Sequence, residues 1–406
     1  MRTSYRPQIG LAFFGFLLIG GISGAVGVLL PSLSSYYNVD NSVLGLFFFA
    51  STLGYLMAAF STGPLTEKLG QRWFVTLGAA AILSGSFIIV LKPPFVVVLV
   101  MGLLLGLGMG SLDAGFNAYV AALPRSTAVL NNLHAFYGVG ALLGPVTASA
   151  ILAVNWGWNN VYLLWAVVSV PLLIGCGLLF RPQQSIVTPS EDEPGDKKNV
   201  LLAVLKLRAV WLAMLFLLFY VGIEVSLGNW GYSFLIEDRH QGTLLAGWIL
   251  SGYWLGLTLG RFILANVFER LGWSIYHLLQ ASMLIVLVGT LLVWFLPLQW
   301  VAACGLLLIG FGLGPIYPTI IALTPGLAPA RLVPGTIGFI VSVSIIGVSL
   351  FPWLAGIIAQ SAGFWSLFPF CLALLAAMLC FWLPLRVFSR QSPSSANKTK
   401  MVSREK

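Results

Sequence analysis

The chain has 406 residues, of which 59% are hydrophobic and only 8% charged. A soluble globular protein carries about 25% charged residues, so the composition excludes that class and places the chain in a lipid bilayer. Lys and Arg exceed Asp and Glu by 21 to 12, but the excess sits in short loops and tails, where it is a topology signal and not a nucleic-acid surface.

Twelve apolar runs are each long enough to cross a hydrocarbon core of ~30 Å at ~1.5 Å per residue. They lie near 9–30, 43–62, 73–91, 95–121, 129–154, 161–180, 209–235, 243–265, 273–296, 299–323, 332–358 and 364–384. The first follows Arg2 and Arg6, but it is longer than a signal-peptide core and shows no small-residue cleavage site before Pro31, so it reads as a membrane helix. An even number of crossings puts both termini on one side. Assigning that side to the cytoplasm leaves only Lys92 and Arg239 of the basic residues outside, as the positive-inside rule requires.

The long polar interruption at 181–208, containing SEDEPGDKK, has the mixed charge and lack of periodicity of a solvated linker. It divides the chain into a six-helix half at 1–180, a linker at 181–208, a second six-helix half at 209–390 and a cytoplasmic tail at 391–406. The halves echo each other in order. GLGMG at 106–110 recurs as GFGLG at 310–314, GALLGP ending at Pro145 as GVSLFP ending at Pro352, and GPLTEKLGQR from Gly63 as GRFILANVFERLG from Gly260. Two parallel repeats of six helices, with a substrate site near the midplane between them, form one known transporter architecture. The expected fold class is therefore an all-α membrane protein of twelve transmembrane helices in two repeats.

The fourth and fifth runs carry most of the chemistry. Asp113 and His134 stand at similar distances from Pro124, so an antiparallel hairpin brings them to a similar depth, ~15 Å from the turn. An ionised carboxylate there costs several kcal/mol unless it is paired, hydrated or neutralised. Asn117 shares a face with Asp113; His134 and Tyr137 share another, with Asn131 a turn back. In the seventh run Glu224 is again near mid-membrane, followed by Asn229 and Trp230. Trp230, Tyr253, Trp254 and Tyr317 are candidate rings for the C–H face of a sugar. Arg261 counts out near the cytoplasmic end, beside Glu269, and reads as structural; His240 and His277 read as surface groups.

Other chemistry has no foothold. The chain has no Walker-type loop, no clustered metal-ligand set and no GxSxG elbow, so neither an enzyme nor an ATP-driven pump is expected, and no cofactor or metal. Cys176, Cys304, Cys371 and Cys380 lie inside apolar runs without ligand spacing and read as small core residues.

GPLTEKLGQR resembles the loop between the second and third helices of the major facilitator superfamily, with Gly63, Glu67, Gly70 and Arg72 at the matching positions. The resemblance implies that this loop holds the two halves together on the cytoplasmic side. LDAGFN followed by LNNLHAFYGVGALLGP resembles the fucose–proton symporter family and its glucose-transporter-like relatives, and FYVGIEVSLGNWGYSFL and SGYWLGLTLGRF look most like the latter branch. That resemblance implies proton coupling through the acid of the fourth helix and a sugar cavity lined by the fifth, which falls on Asp113, Asn117, Asn131, His134 and Tyr137. In one respect the chain departs from the pattern: the first helix, GISGAVGVLLP, has Gly27 about where the fucose symporters bear an acid.

The expectation is a monomeric, multi-pass secondary transporter of the plasma (inner) membrane, with both termini cytoplasmic. It takes up a monosaccharide or similar neutral hydroxylated solute by alternating access. Asp113 or Glu224, tuned by His134, binds the coupling proton, with sodium as the alternative ion. Asn117, Asn131, Tyr137, Asn229, Trp230, Tyr253, Trp254 and Tyr317 line the site. The rival expectations are a proton-antiport exporter of amphipathic drugs or metabolites and a transport-dead sensor on the same fold.

Overall fold

The computed structural model describes residues 5–123, 126–180 and 202–391. The turn at Pro124, most of the predicted linker and nearly all of the predicted tail lie outside them. The described residues contain helices and no strand. The long helices are α1 (Arg6–Tyr37), α2 (Leu46–Val90), α3 (Phe95–Ala121), α4 (Ser126–Ala153), α5 (Asn159–Leu179), α6 (Arg208–Glu237) and α7 (Thr243–Arg270). They are followed by α8 (Ile275–Phe295), α9 (Gln299–Leu313), α10 (Ile316–Leu323), α11 (Val333–Ala362) and α12 (Leu367–Gln391).

Eleven stretches among the described residues are long and apolar enough to span a bilayer. The sequence reading has twelve because α2 contains two of its runs. At 45 residues α2 far exceeds one crossing, and Gly70 breaks it with φ 79° and ψ 156°. Only glycine adopts that conformation readily, so the motif glycine is the point where one crossing ends and the next begins. Ala at position 70 is expected to cost roughly 1–3 kcal/mol, read as a lowered thermal midpoint of the detergent-solubilised protein. In the opposite sense, α9 and α10 make up one crossing, Gln299–Gly326, interrupted by the Gly314–Pro315 pair.

The chain falls into two compact units. The first comprises Met1–Thr188 with Leu227–Leu255 and Pro352–Ser366, and the second Pro189–Ser226 with Gly256–Phe351 and Leu367–Lys406. In the first unit α2 packs along α3, and α1 along α4. These pairs approach closely because they lack side chains at the crossing: Gly54 faces Leu103 O and Gly106 faces Ser51 O, while Gly20 and Gly24 face Tyr137 O and Ala141 O. Between lipid tails no hydrophobic force drives helices together, so close packing of small residues supplies the attraction. Pro145 lacks the amide that Ala141 O would accept from in a regular helix, and Gly24 brings α1 against that carbonyl. In the second unit Gly256 and Gly260 of α7 lie against Leu307 O and Phe311 O of α9. Leu264, Phe268 and Leu278 form a small core beside them.

Candidate functional site

The glycines of GLGMG decide what Asp113 meets. Gly106 and Gly110 let α3 approach the backbone of α2 at Ser51 and Tyr55, which carries the Tyr55 side chain to the carboxylate. Tyr55 Oη donates to Asp113 Oδ2. Asn117 Nδ2 donates to Asp113 Oδ1 at 3.0 Å and to the Asp113 carbonyl at 3.0 Å, the i, i+4 contact expected on one helix face. His134 lies near Asp113, and its ring stands edge-on to Phe16 with centroids 5.5 Å apart. Two residues on from Asp113, Gln71 Nε2 donates to Gly115 O. Asp113 and Asn117 are half-buried, Tyr137 is half-buried, and Asn131 and His134 are exposed. The predicted residues of α3 and α4 are thus a carboxylate held by neutral donors with a histidine beside it. Such a carboxylate keeps its hydrogen bonds when it takes up a proton, since a tyrosine hydroxyl and an amide each accept as well as donate.

At one end of the first unit, α1 and the start of α2 meet parts of α6 and α11. Trp353 Nε1 donates to Ser42 O at 3.2 Å, and Gln360 Oε1 accepts from Asn41 N at 3.0 Å. Asp40 caps the short turn between them: its carboxylate accepts from Ser42 Oγ at 2.6 Å and Val43 N at 2.8 Å. These bonds, the Ser42 one foremost, hold its carboxyl below the usual carboxylate range. Gly27 rests on α6, where a Cβ would lie 2.5 Å from Asn229 O and 2.6 Å from Gly228 O.

Several of the expected aromatic residues are buried in this structure. Trp230 is only 1% exposed, its Nε1 donates to Pro352 O at 2.7 Å, and Phe48 and Phe364 stand against its ring. In this structure it packs into the contact between α6, α11 and the start of α2. Tyr253 is fully enclosed, and Trp254 packs over Gly228 with its ring against Tyr253. Asn229 is buried as well.

In the second unit Glu224 meets Arg261, with Nη2 3.8 Å from Oε1. Arg261 Nε also donates to Gly314 O at 3.3 Å, and Tyr220 lies beside both charged groups. Tyr317 is half-buried, its ring centroid 6.2 Å from that of Tyr220. Arg261, expected from the sequence as a structural residue near Glu269, thus stands within ion-pair distance of Glu224. The Glu269 side chain lies outside the described residues. Sequence reasoning missed Tyr55 and the pairing of Arg261 with Glu224, and the signal for the second was a cation within a membrane run.

In the motif loop Gly63 and Glu67 are exposed, and Arg72 stacks over the Trp73 ring at 5.4 Å. Of the cysteines, Cys176 and Cys371 are buried and Cys304 and Cys380 exposed. His240 takes a left-handed φ of 51° in its loop, and His277 Nδ1 lies 2.9 Å from Ser274 Oγ. Among the described residues no group of His, Cys, Asp and Glu is arranged to hold a metal ion.

The sequence model of the Major Facilitator Superfamily matches residues 12–343. "Bypass of stop codon protein 6" of Saccharomyces cerevisiae is 28% identical over 93% of this chain and 82% of its own length. The glucose/mannose transporter GlcP of Bacillus subtilis is 26% identical over 80% of each. Among solved structures, the fucose:proton symporter FucP of E. coli superposes with a TM-score of 0.63 at 19% identity, covering 94% of this chain and 99% of that one.

Proposed function

Because the chain belongs to the major facilitator superfamily, and is therefore a multi-pass membrane transporter and not an enzyme, we propose that it takes up a monosaccharide by proton symport. Asp113 is the proton carrier. The observation that carries this reading is the contrast between the two membrane carboxylates. Glu224 has an arginine partner, whereas Asp113 is bonded by a tyrosine hydroxyl and a carboxamide. Protonating Glu224 would strand the Arg261 charge in the membrane; protonating Asp113 removes a costly charge. Asn117, Asn131 and Tyr137 supply hydroxyl partners near the proton site, and His134 tunes it. Likeness to a bacterial glucose/mannose transporter supports the choice of a sugar.

The membrane is the plasma membrane, with both termini cytoplasmic. Lys68 and Arg72 flank the Gly70 break on the inner side, and Lys92 and Arg239 lie outside. The seam at Gly27, Trp230 and Trp353 is then the outer gate. Two six-helix halves exchange its opening with that of the inner side, each chain acting alone.

The test is uptake of a radiolabelled hexose panel into proteoliposomes, with and without an inward proton gradient. Accumulation of a hexose above equilibrium only with the gradient is expected. Failure of every hexose to enter, together with expulsion of a lipophilic cation, would remove this reading in favour of export.

A further inference from the structure

We infer that the coupling proton rides on Oδ2 of Asp113, and that Tyr55 is the positioning residue that receives it by reversing its hydrogen bond. The inference rests on Asp113 as the proton carrier and deepens that reading. Among the described residues, Oδ2 accepts from the Tyr55 hydroxyl and Oδ1 from Asn117 Nδ2 at 3.0 Å. The two oxygens are therefore not equivalent, because their donors differ in what they can become.

Asn117 is fixed as a donor. Its Nδ2 also donates to the main-chain carbonyl of Asp113 at 3.0 Å, and a carbonyl oxygen only accepts. Turning the amide over would set its oxygen against both acceptors, so it donates to Oδ1 whether the carboxyl is charged or neutral. A proton on Oδ1 would find no acceptor in the Asn117 nitrogen. The Tyr55 hydroxyl can do what the amide cannot: its O–H turns about the C–O bond and a lone pair then faces Oδ2. A proton arriving from the outer solution bonds to Oδ2 and is donated to Tyr55 Oη, while Oδ1 becomes the carbonyl oxygen and keeps its bond from Asn117. The phenol keeps its own proton throughout. Backbone packing holds it in place, since Gly110 of α3 stands where a Cβ would lie 2.7 Å from Tyr55 O, and both helices belong to the first compact unit. The titratable groups facing Asp113 are Tyr55 from α2 and His134 from α4. Gln71 of α2, which donates to Gly115 O, is neutral, and Phe16, which α1 places at the His134 ring, is apolar.

The experiment titrates Asp113 in the purified full chain by infrared difference spectroscopy, with Asp113→Asn identifying its carboxyl band, and measures the pH profile of initial hexose uptake in proteoliposomes beside it. Wild type is compared with Tyr55→Phe and with a chain carrying a monofluorinated tyrosine in place of Tyr55. Phenylalanine keeps the ring and removes the donor to Oδ2. The charged carboxylate then loses a hydrogen bond, which opposes ionisation. Both midpoints are expected to rise by about one pH unit, a gain of about tenfold in proton affinity for one bond to a charged group. The carbonyl band of the neutral acid should also move to higher frequency, because its O–H has lost its acceptor. Fluorination makes the phenol a stronger donor and a weaker acceptor, so it should lower both midpoints.

A midpoint that stays or falls in folded Tyr55→Phe overturns the inference and leaves Asp113 as the carrier, because a tyrosine that only packs α2 on α3 would not govern the titration. A carbonyl band that keeps its wild-type frequency in that variant overturns the assignment to Oδ2. If Tyr55→Phe does not fold, a fluorinated chain that titrates like wild type overturns the inference in the same way. An Asp113 band that never titrates in wild type removes the carrier reading and this one with it. The expected titrations in a protein that moves no hexose support the proton assignment and remove the sugar alone.

Discussion

Asp113→Asn is expected to abolish gradient-driven accumulation while leaving counterflow of the same sugar within a few-fold of wild type. The size of the loss follows from the driving force. One proton per sugar concentrates the solute about tenfold per pH unit, and about 100 mV adds a further ~2.3 kcal/mol per charge moved. A carrier without its proton site reaches equilibrium and stops, so the accumulation ratio falls from tens or hundreds to one. Asparagine has nearly the shape of aspartate, and its amide oxygen still accepts from Tyr55. The variant should therefore fold and behave as a carrier locked in the neutral state. Initial uptake by wild type should rise as the outside is acidified, and uptake by the variant should not. Concentrative uptake by Asp113→Asn would transfer the proton to another group.

The largest structural effect is expected at Gly106. A Cβ there would fall on the carbonyl of Ser51, a backbone atom that no rotamer change moves aside. Overpacking costs about 1–3 kcal/mol where side chains can shift, and more where a helix axis must. Gly106→Leu should push α2 off α3, pull Tyr55 from Asp113 and leave little monodisperse protein in detergent. Gly338→Ala is the control: Gly338 has no atom within 4 Å of a Cβ, and alanine is a better helix former by about 1 kcal/mol. Size-exclusion profiles of the two variants check the contrast, and equal recovery would mean that the close approach at Gly106 is not needed.

The crossings, the internal repeat and the Asp113–Asn117 face were all legible in the sequence, because each depends on run length or on a spacing within one helix. The partner of Asp113 on α2 was not. Tyr55 stands in GYLMAAF with no polar neighbour to mark it, and only the glycine-lined approach of α3 brings it near. The pairing of Arg261 was not legible for a different reason: Glu224 lies on another helix, and no spacing within α7 points to it. The surroundings of Trp230 are set by α11, whose Pro352 carbonyl takes the indole proton. Nothing in GNWGYSFL foretells that partner.

Gly27 links two facts that began apart, the acid missing from the first helix and the tight outer seam. The place a carboxylate would need is already filled by the carbonyls of Gly228 and Asn229. A carboxylate at position 27 would have to displace that backbone contact, so the position accommodates the acid or the close approach of α1 to α6, not both. A cysteine at position 27 is expected to react with a membrane-impermeant thiol reagent only while that contact is parted.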